Sequence, residues 1–274
     1  SHIQAWNQYE GIYNSELRRS QRGEYEFATI VAMSLLNFNY MSSDWVRTHL
    51  SDIFDQSDYQ KWLCAMQGYA YVSAIYEEFY KYLKTSGDFL KALDDGYLKE
   101  KVNERIIQNI AVAYINGFED IKQSDSLMSI LIERKKLDEL SELIWFIWTL
   151  RNKDDVKLRE KVYELWPGLL EIVDVNSREG RILASNLCHW AAFVDQIDAT
   201  VENWLLKIAP YADENHNAYD LLQSLAVISD SQPLEAQKIW IKMLESYSYD
   251  YPEDAIQRIL KNLIALGSDG ERMA

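Results

Sequence analysis

Cys188 and His189 are the residues of this chain that come nearest to a nucleophile with its base. A thiol does that work only when an imidazole sits within hydrogen-bond reach to take its proton. Neighbouring helical residues point about 100° apart, and no glycine-rich turn lies near the pair to supply oxyanion donors. Packing is the simpler reading of both. The run Asp213-Glu214-Asn215-His216-Asn217 holds ligand types for a cation, but an octahedral oxygen site needs more ligands around a sharp glycine turn. It is read as a polar loop in which Asn217 caps the following helix. His49 and Asp52, three residues apart, make an ordinary surface pair, and His2 belongs to the extreme N-terminus. The acidic pairs Glu77-Glu78, Asp94-Asp95 and Asp154-Asp155 fall at helix ends or exposed faces. None has the apolar setting that raises one carboxyl for acid–base work. Phosphate-binding glycine loops, zinc-ligand spacings and a serine elbow are missing from the sequence. The sequence therefore predicts no catalytic residue, no metal site and no cofactor.

The elements that would have to position any such groups are more legible. Steps of 38 from Leu35 land on Ser73, Ala111, Thr149, Leu187, Leu225 and Leu263, nearly all in or against apolar stretches. A second series, Phe89, Leu127, Trp166, Trp204 and Trp240, is spaced 38, 39, 38 and 36. Two interleaved apolar series predict helix pairs stacked in a row. The expected fold is an all-α helical-repeat solenoid of about six helix pairs with a period of about 38 residues. Residues 1–103 are expected to form less regular N-terminal helices, and 104–274 a regular array continuous with them.

Local signals place the helices. Trp6, Tyr9, Tyr13 and Leu17 mark one face of a helix over Gln4–Arg19, and Glu24–Phe38 reads as one helix apolar all round. Ser42-Ser43-Asp44 offers a cap for Trp45–Phe54 and Ser57-Asp58 one for the next helix. That next helix is predicted to run unbroken from Tyr59 to Leu83. Asp88 is expected to cap Phe89–Lys101. Pro233 and Pro252 fit first-turn positions. Pro167 fits one only if a helix begins at Leu165 or Trp166, and Pro210 should end or kink its helix. Trp204 and Trp240, each with a Tyr seven residues on, are read as buried spacers costing about 3–5 kcal/mol on truncation to Ala.

Composition narrows the partners. With 43 acidic against 28 basic residues the net charge is −15, which disfavours nucleic acid and anionic membranes as partners. Ten Gly and four Pro in 274 residues suit long helices with short joints. Two cysteines without pairing or metal spacing suggest a reducing cytoplasm. No apolar run reaches the roughly 18 residues of a membrane span, and no signal peptide is visible.

The opening Ser1-His2 looks like the scar of a removed purification tag, and the chain is expected to be a piece of a larger protein. Over about Asn203–Gly267, the pattern Leu221-Leu222, Leu225, Pro233, Glu235-Ala236, Ile239-Trp240, Leu244, Ile256, Ile259-Leu260, Leu263 and Gly267 resembles TPR/HEAT-type helical repeats. More specifically, it is similar to the helical C-terminal regions of large bacterial STAND-type NTPases and Sir2-containing anti-phage defence proteins. The resemblance implies a segment that senses a protein partner, often a phage protein, while a separate domain carries the enzymatic effector. The alternatives are a stand-alone helical-repeat adaptor or oligomerisation module and, third, an enzyme with an unrecognised site in the solenoid groove. Eighteen Tyr and nine Trp exceed what packing obviously needs. The expected contact surface is the loop Tyr247, Tyr249, Tyr251 with Glu253 and Asp254, because loop tyrosines give large contact area at low entropy cost.

Overall fold

Helix caps and buried apolar stripes account for most of the sixteen α-helices among the described residues of this chain. The structure is a computed structural model that describes residues 2–20, 22–152, 155–246 and 252–267. No strand occurs among the described residues. The chain divides into two compact units, Ser1–Glu119 and Asp120–Ala274.

The first unit contains α1 (His2–Ser20), α2 (Glu26–Met33), α3 (Leu35–Met41), α4 (Ser43–Ile53), α5 (Tyr59–Tyr69), α6 (Glu77–Thr85), α7 (Asp88–Asp94) and α8 (Glu100–Asn116). Two expected caps are in place: Ser42 Oγ accepts from Trp45 N at 3.4 Å, and Asp58 Oδ1 accepts from Lys61 N at 3.2 Å. Replacing Asp58 by Ala should therefore lower the urea midpoint by an amount equivalent to about 1 kcal/mol. An unchanged midpoint would show that the cap bond carries no stability. The core of this unit is strongly aromatic, with Trp62, Tyr69, Phe79, Tyr80, Phe89 and Tyr114 buried. Part of the tyrosine and tryptophan surplus is thus interior, while Tyr9, Tyr40, Tyr71, Tyr76 and Tyr97 are exposed.

Several boundaries differ from the sequence reading. The apolar run Glu24–Phe38 is interrupted at Ser34, which separates α2 from α3. The long helix expected over Tyr59–Leu83 is two helices, because the chain leaves helical geometry after Ala70 and Tyr76 is extended at φ −103°, ψ 127°. The intervening segment carries the β-branched Val72 and Ile75 and, at Ser73, a hydroxyl that competes for backbone bonds. All three are weak helix formers. Glu77 and Glu78 then favour a new N-terminus by facing its dipole. Likewise, the helix expected to run from Phe89 to Lys101 stops at Asp94, where the extended Asp95 accepts from Tyr97 N and Leu98 N. Asp88 is not the cap of α7. Gly87, left-handed at φ 78°, holds that position. Asp88 is instead buried and accepts from Trp62 Nε1 at 2.7 Å and Gln56 Nε2 at 2.8 Å, joining three parts of the unit.

The second unit holds α9 (Leu127–Arg134), α10 (Leu137–Thr149), α11 (Val156–Glu171), α12 (Arg178–Leu187), α13 (Ala199–Ile208), α14 (Ala218–Ile228), α15 (Pro233–Met243) and α16 (Glu253–Ile264). Short 3₁₀ segments extend three of them: Cys188–Phe193 after α12, Ala209–Asn215 after α13 and Leu244–Ser246 after α15. Pro210 lies in the first turn of the second of these, so α13 ends before it as expected. Pro167 does not begin a helix. It lies inside α11, whose start is set by Asp155 Oδ1 accepting from Leu158 N at 2.9 Å. An interior proline costs about 3 kcal/mol. Burial of Leu158, Val162, Leu165, Trp166, Leu169 and Leu170 along the same helix outweighs it.

Alternate elements touch in this unit. α10 contacts α12, the 3₁₀ segment after α12 contacts α14, α14 contacts α16, and α13 contacts α15. Long-range side-chain bonds from nitrogen and oxygen donors in this unit span 27–46 residues, from Ser185–Ala212 to Trp190–Ile144, and five of them fall close together in that range. Arg159 pairs with Asp195, Gln232 Oε1 accepts from Ile197 N, Lys207 Nζ donates to Leu170 O, Lys238 pairs with Glu202 and Asn262 Nδ2 donates to Ser229 Oγ. These partners are 33–37 residues apart. The first apolar series is only partly internal: Leu35, Ala111, Leu187, Leu225 and Leu263 are buried, whereas Ser73 and Thr149 are exposed. In the second, Phe89, Leu127 and Trp166 are buried, but Trp204 and Trp240 are only partly so. The two tryptophans expected as buried spacers therefore line the edge of the core.

Candidate functional site

The sequence pair Cys188–His189 is split by the geometry of its 3₁₀ segment. Cys188 is fully buried, and its Sγ donates to Ala184 O at 3.5 Å and approaches Ile208 O at 4.0 Å. Burial pushes its thiol well above the ordinary range. His189 faces elsewhere, with its ring 4.6 Å from that of Trp148 and Nδ1 2.9 Å from Asp220 Oδ2. No hydrogen bond joins thiol and imidazole among the described residues. A thiol reagent should leave Cys188 untouched in the folded protein and label it only after denaturation, as mass spectrometry would show. Rapid native labelling would mean that this core opens.

The polar loop before α14 serves packing in a different way from the one expected. Asn217 precedes α14 but makes no side-chain cap. Its Nδ2 donates to Asn186 Oδ1 at 3.1 Å and Ser185 Oγ at 3.3 Å, and Asn215 Nδ2 donates to the same Asn186 oxygen at 2.8 Å. Asn186 Nδ2 in turn donates to Ser141 Oγ at 2.8 Å. A chain of amides thus ties the loop to α12 and α10. Glu214 pairs with Arg181 at 2.7 Å, and His216 closes the 3₁₀ segment at φ 61°. No cluster of three or more His, Cys, Asp or Glu able to hold a metal occurs among the described residues.

Of the expected contact loop, Tyr247, Tyr249 and Tyr251 lie outside the described residues. Glu253 and Asp254 are exposed in the first turn of α16, where they face the helix dipole, and Glu253 Oε1 accepts from Gln257 Nε2 at 2.7 Å.

A different surface in the second unit gathers groups suited to recognition. It begins on α10, whose inner stripe is Leu140, Leu143, Ile144 and Ile147. Trp145 and Trp148 fall off that stripe, and Trp145 is 47% exposed. The guanidinium of Arg151 lies 3.8 Å from the Trp148 ring centroid, and its Nη1 donates to Trp148 O at 3.0 Å. Beneath Trp148 lies His189, whose side chain is 11% exposed, and beyond it Asp220 of α14, with Tyr219, 56% exposed, beside it. Gln223 Nε2 donates to Tyr219 Oη at 3.3 Å. A pocket of about 470 Å³ opens between the end of α10, the 3₁₀ segment after α12, and α14. Arg151, Ala192, Gln223 and Val227 are among its lining residues, together with the Arg159–Asp195 pair.

The sequence reading missed this surface, although one signal was present: two tryptophans outside the apolar stripe of an otherwise regular helix. The rest needed coordinates, because Trp148, His189 and Asp220 belong to three separate elements. No family model matches the chain, and neither curated proteins nor solved structures give a match. No helix among the described residues is long and apolar enough to cross a membrane.

Proposed function

We propose that this chain is the protein-recognition segment, a sensor or scaffold, of a larger bacterial protein, and that its second unit acts as a TPR/HEAT-like stack of helix pairs. The observation that carries this reading is the set of aromatic and arginine groups at α10 and α14: exposed Trp145 and Tyr219, and half-buried Trp148 with Arg151, bridged from beneath by His189. Repeat arrays bind partners across surfaces assembled from successive units, and aromatic and Arg side chains dominate the binding energy of such contacts. The contacts between alternate elements, with five side-chain bonds between partners 33–37 residues apart, support the repeat part of the reading. The resemblance of Asn203–Gly267 to defence NTPases and Sir2-containing proteins supplies the biological setting: a cytoplasmic sensor whose partner is a phage protein.

The experiment is capture of partners by the full-length protein in phage-challenged bacterial cells, comparing wild type with Trp148→Ala and Tyr219→Ala. A single phage protein retained by the wild type and lost in both variants is the expected result. Equal retention by the variants, or no specific phage protein at all, would contradict the proposal.

A further inference from the structure

We propose that the pocket between the end of α10 and α14 receives an acidic, aliphatic segment of the partner protein, with its carboxylate on Arg151 and its aliphatic side chain against Ala192 and Val227. This rests on the recognition reading above and specifies the chemistry of the partner. The charge of the pocket runs against that of the chain. The chain as a whole carries −15, yet among the described residues the titratable lining of this pocket is two arginines and one aspartate. Asp195 is already engaged by Arg159. Arg151 has no ion pair with a carboxylate among the described residues. The pocket is therefore a local positive site on an acidic protein, and charge complementarity selects an acidic ligand.

Arg151 is also pre-organised. It is held by its stacking on Trp148 and by the bond from Nη1 to Trp148 O, which fixes the plane of the guanidinium. A guanidinium pinned in this way still offers N–H donors to a carboxylate, and less rotamer freedom is lost on binding. Neutral groups complete the chemistry: Gln223 supplies an amide, while Val227, 43% exposed, and Ala192 offer apolar surface. The exposed ring of Tyr219, bonded to the lining residue Gln223, carries the surface beyond the pocket. That extent fits a chain segment better than an isolated small anion.

The test uses the full chain and two immobilised libraries of end-capped heptapeptides. Each library has one fixed central residue, Glu in one and Gln in the other, flanked by randomised aliphatic and polar positions. The wild type should select Glu peptides with adjacent Leu, Ile or Val at least about tenfold over Gln peptides, the scale of one charge-assisted bond. Arg151→Gln should abolish that selection, and Arg151→Lys, which keeps the charge and loses the planar fork, should retain part of it. Unchanged melting of both variants shows that the effect is local. Equal binding of the two libraries, no binding to either, or full selection by Arg151→Gln would overturn the proposal. So would full displacement of the selected peptide by 4-methylpentanoate at the same affinity, which would mark a small-molecule site. Self-association of the wild type that Arg151→Gln dissolves would make a second copy the occupant, and would also overturn it. Failure here, with partner capture still sensitive to Trp148→Ala and Tyr219→Ala, would leave the recognition surface standing and remove only its acidic specificity.

Discussion

Trp166→Ala is expected to lower the free energy of unfolding by about 3–5 kcal/mol, the range for removing a large buried aromatic. Trp166 is fully buried on α11 and lies 5.7 Å from Trp190 and 5.3 Å from Trp204 between ring centroids. Its neighbours come from the 3₁₀ segment after α12 and from α13, so they cannot close the gap without moving whole elements. Trp190 is fixed further by its Nε1 donating to Ile144 O at 3.1 Å. The indole N–H of Trp166, by contrast, has no hydrogen-bond partner among the described residues. Trp166→Phe, which removes that unsatisfied donor and leaves a smaller void, should cost much less than the alanine change. Trp204→Ala and Trp240→Ala should fall near about 1–2 kcal/mol, because both side chains are already partly exposed and bury less apolar area. Guanidinium denaturation followed by circular dichroism gives the ranking. A Trp166→Ala loss no greater than that of Trp240→Ala would contradict the packing described for this unit.

Gly68→Ala is the second large effect, at about 3 kcal/mol or more. Here the obstacle is backbone. A Cβ at position 68 would sit 2.1 Å from Thr29 O and 2.9 Å from Thr29 C, where α5 crosses α2. A carbonyl within a helix cannot swing aside as a flexible side chain would, so the two helices must separate. Gly11→Ala provides the control with the opposite sign. Gly11 is exposed on α1, and its Cβ would meet nothing within 4 Å. Alanine there should stabilise by about 0.5–1 kcal/mol through the lower entropy cost of ordering the helix. Thermal melts of the two variants should therefore move in opposite directions. A tolerated Gly68→Ala would mean that α2 and α5 do not approach as closely as described.

The all-helical class is legible in the sequence because apolar residues recur at helical spacing and Gly and Pro are scarce. The helix starts read at Ser42 and Asp58 have side-chain caps in the structure, and Asp155, Ser177 and Asp198 cap three more. Helix stops are harder to read. Tyr59–Leu83 looks continuous because its apolar residues keep coming, but the backbone between Ala70 and Tyr76 turns away. Asp88 and Asn217 resemble caps because both residue types favour that position. Each is buried and bonded instead to residues 26–32 positions away, a distance at which local propensity is silent. The surface around Trp148 is hidden for the same reason. Its members gain meaning only when α10, the 3₁₀ segment after α12, and α14 are brought together.

Site-specific photocrosslinking in the full-length protein, inside phage-challenged cells, bears on the recognition reading without any intermediate step. Benzoylphenylalanine at Tyr219 is compared with the same group at Tyr97, a 79% exposed tyrosine in the first unit. One dominant crosslinked phage protein is expected from position 219 and none from position 97. No crosslink from position 219, or the same products from both positions, would contradict a recognition role for this surface.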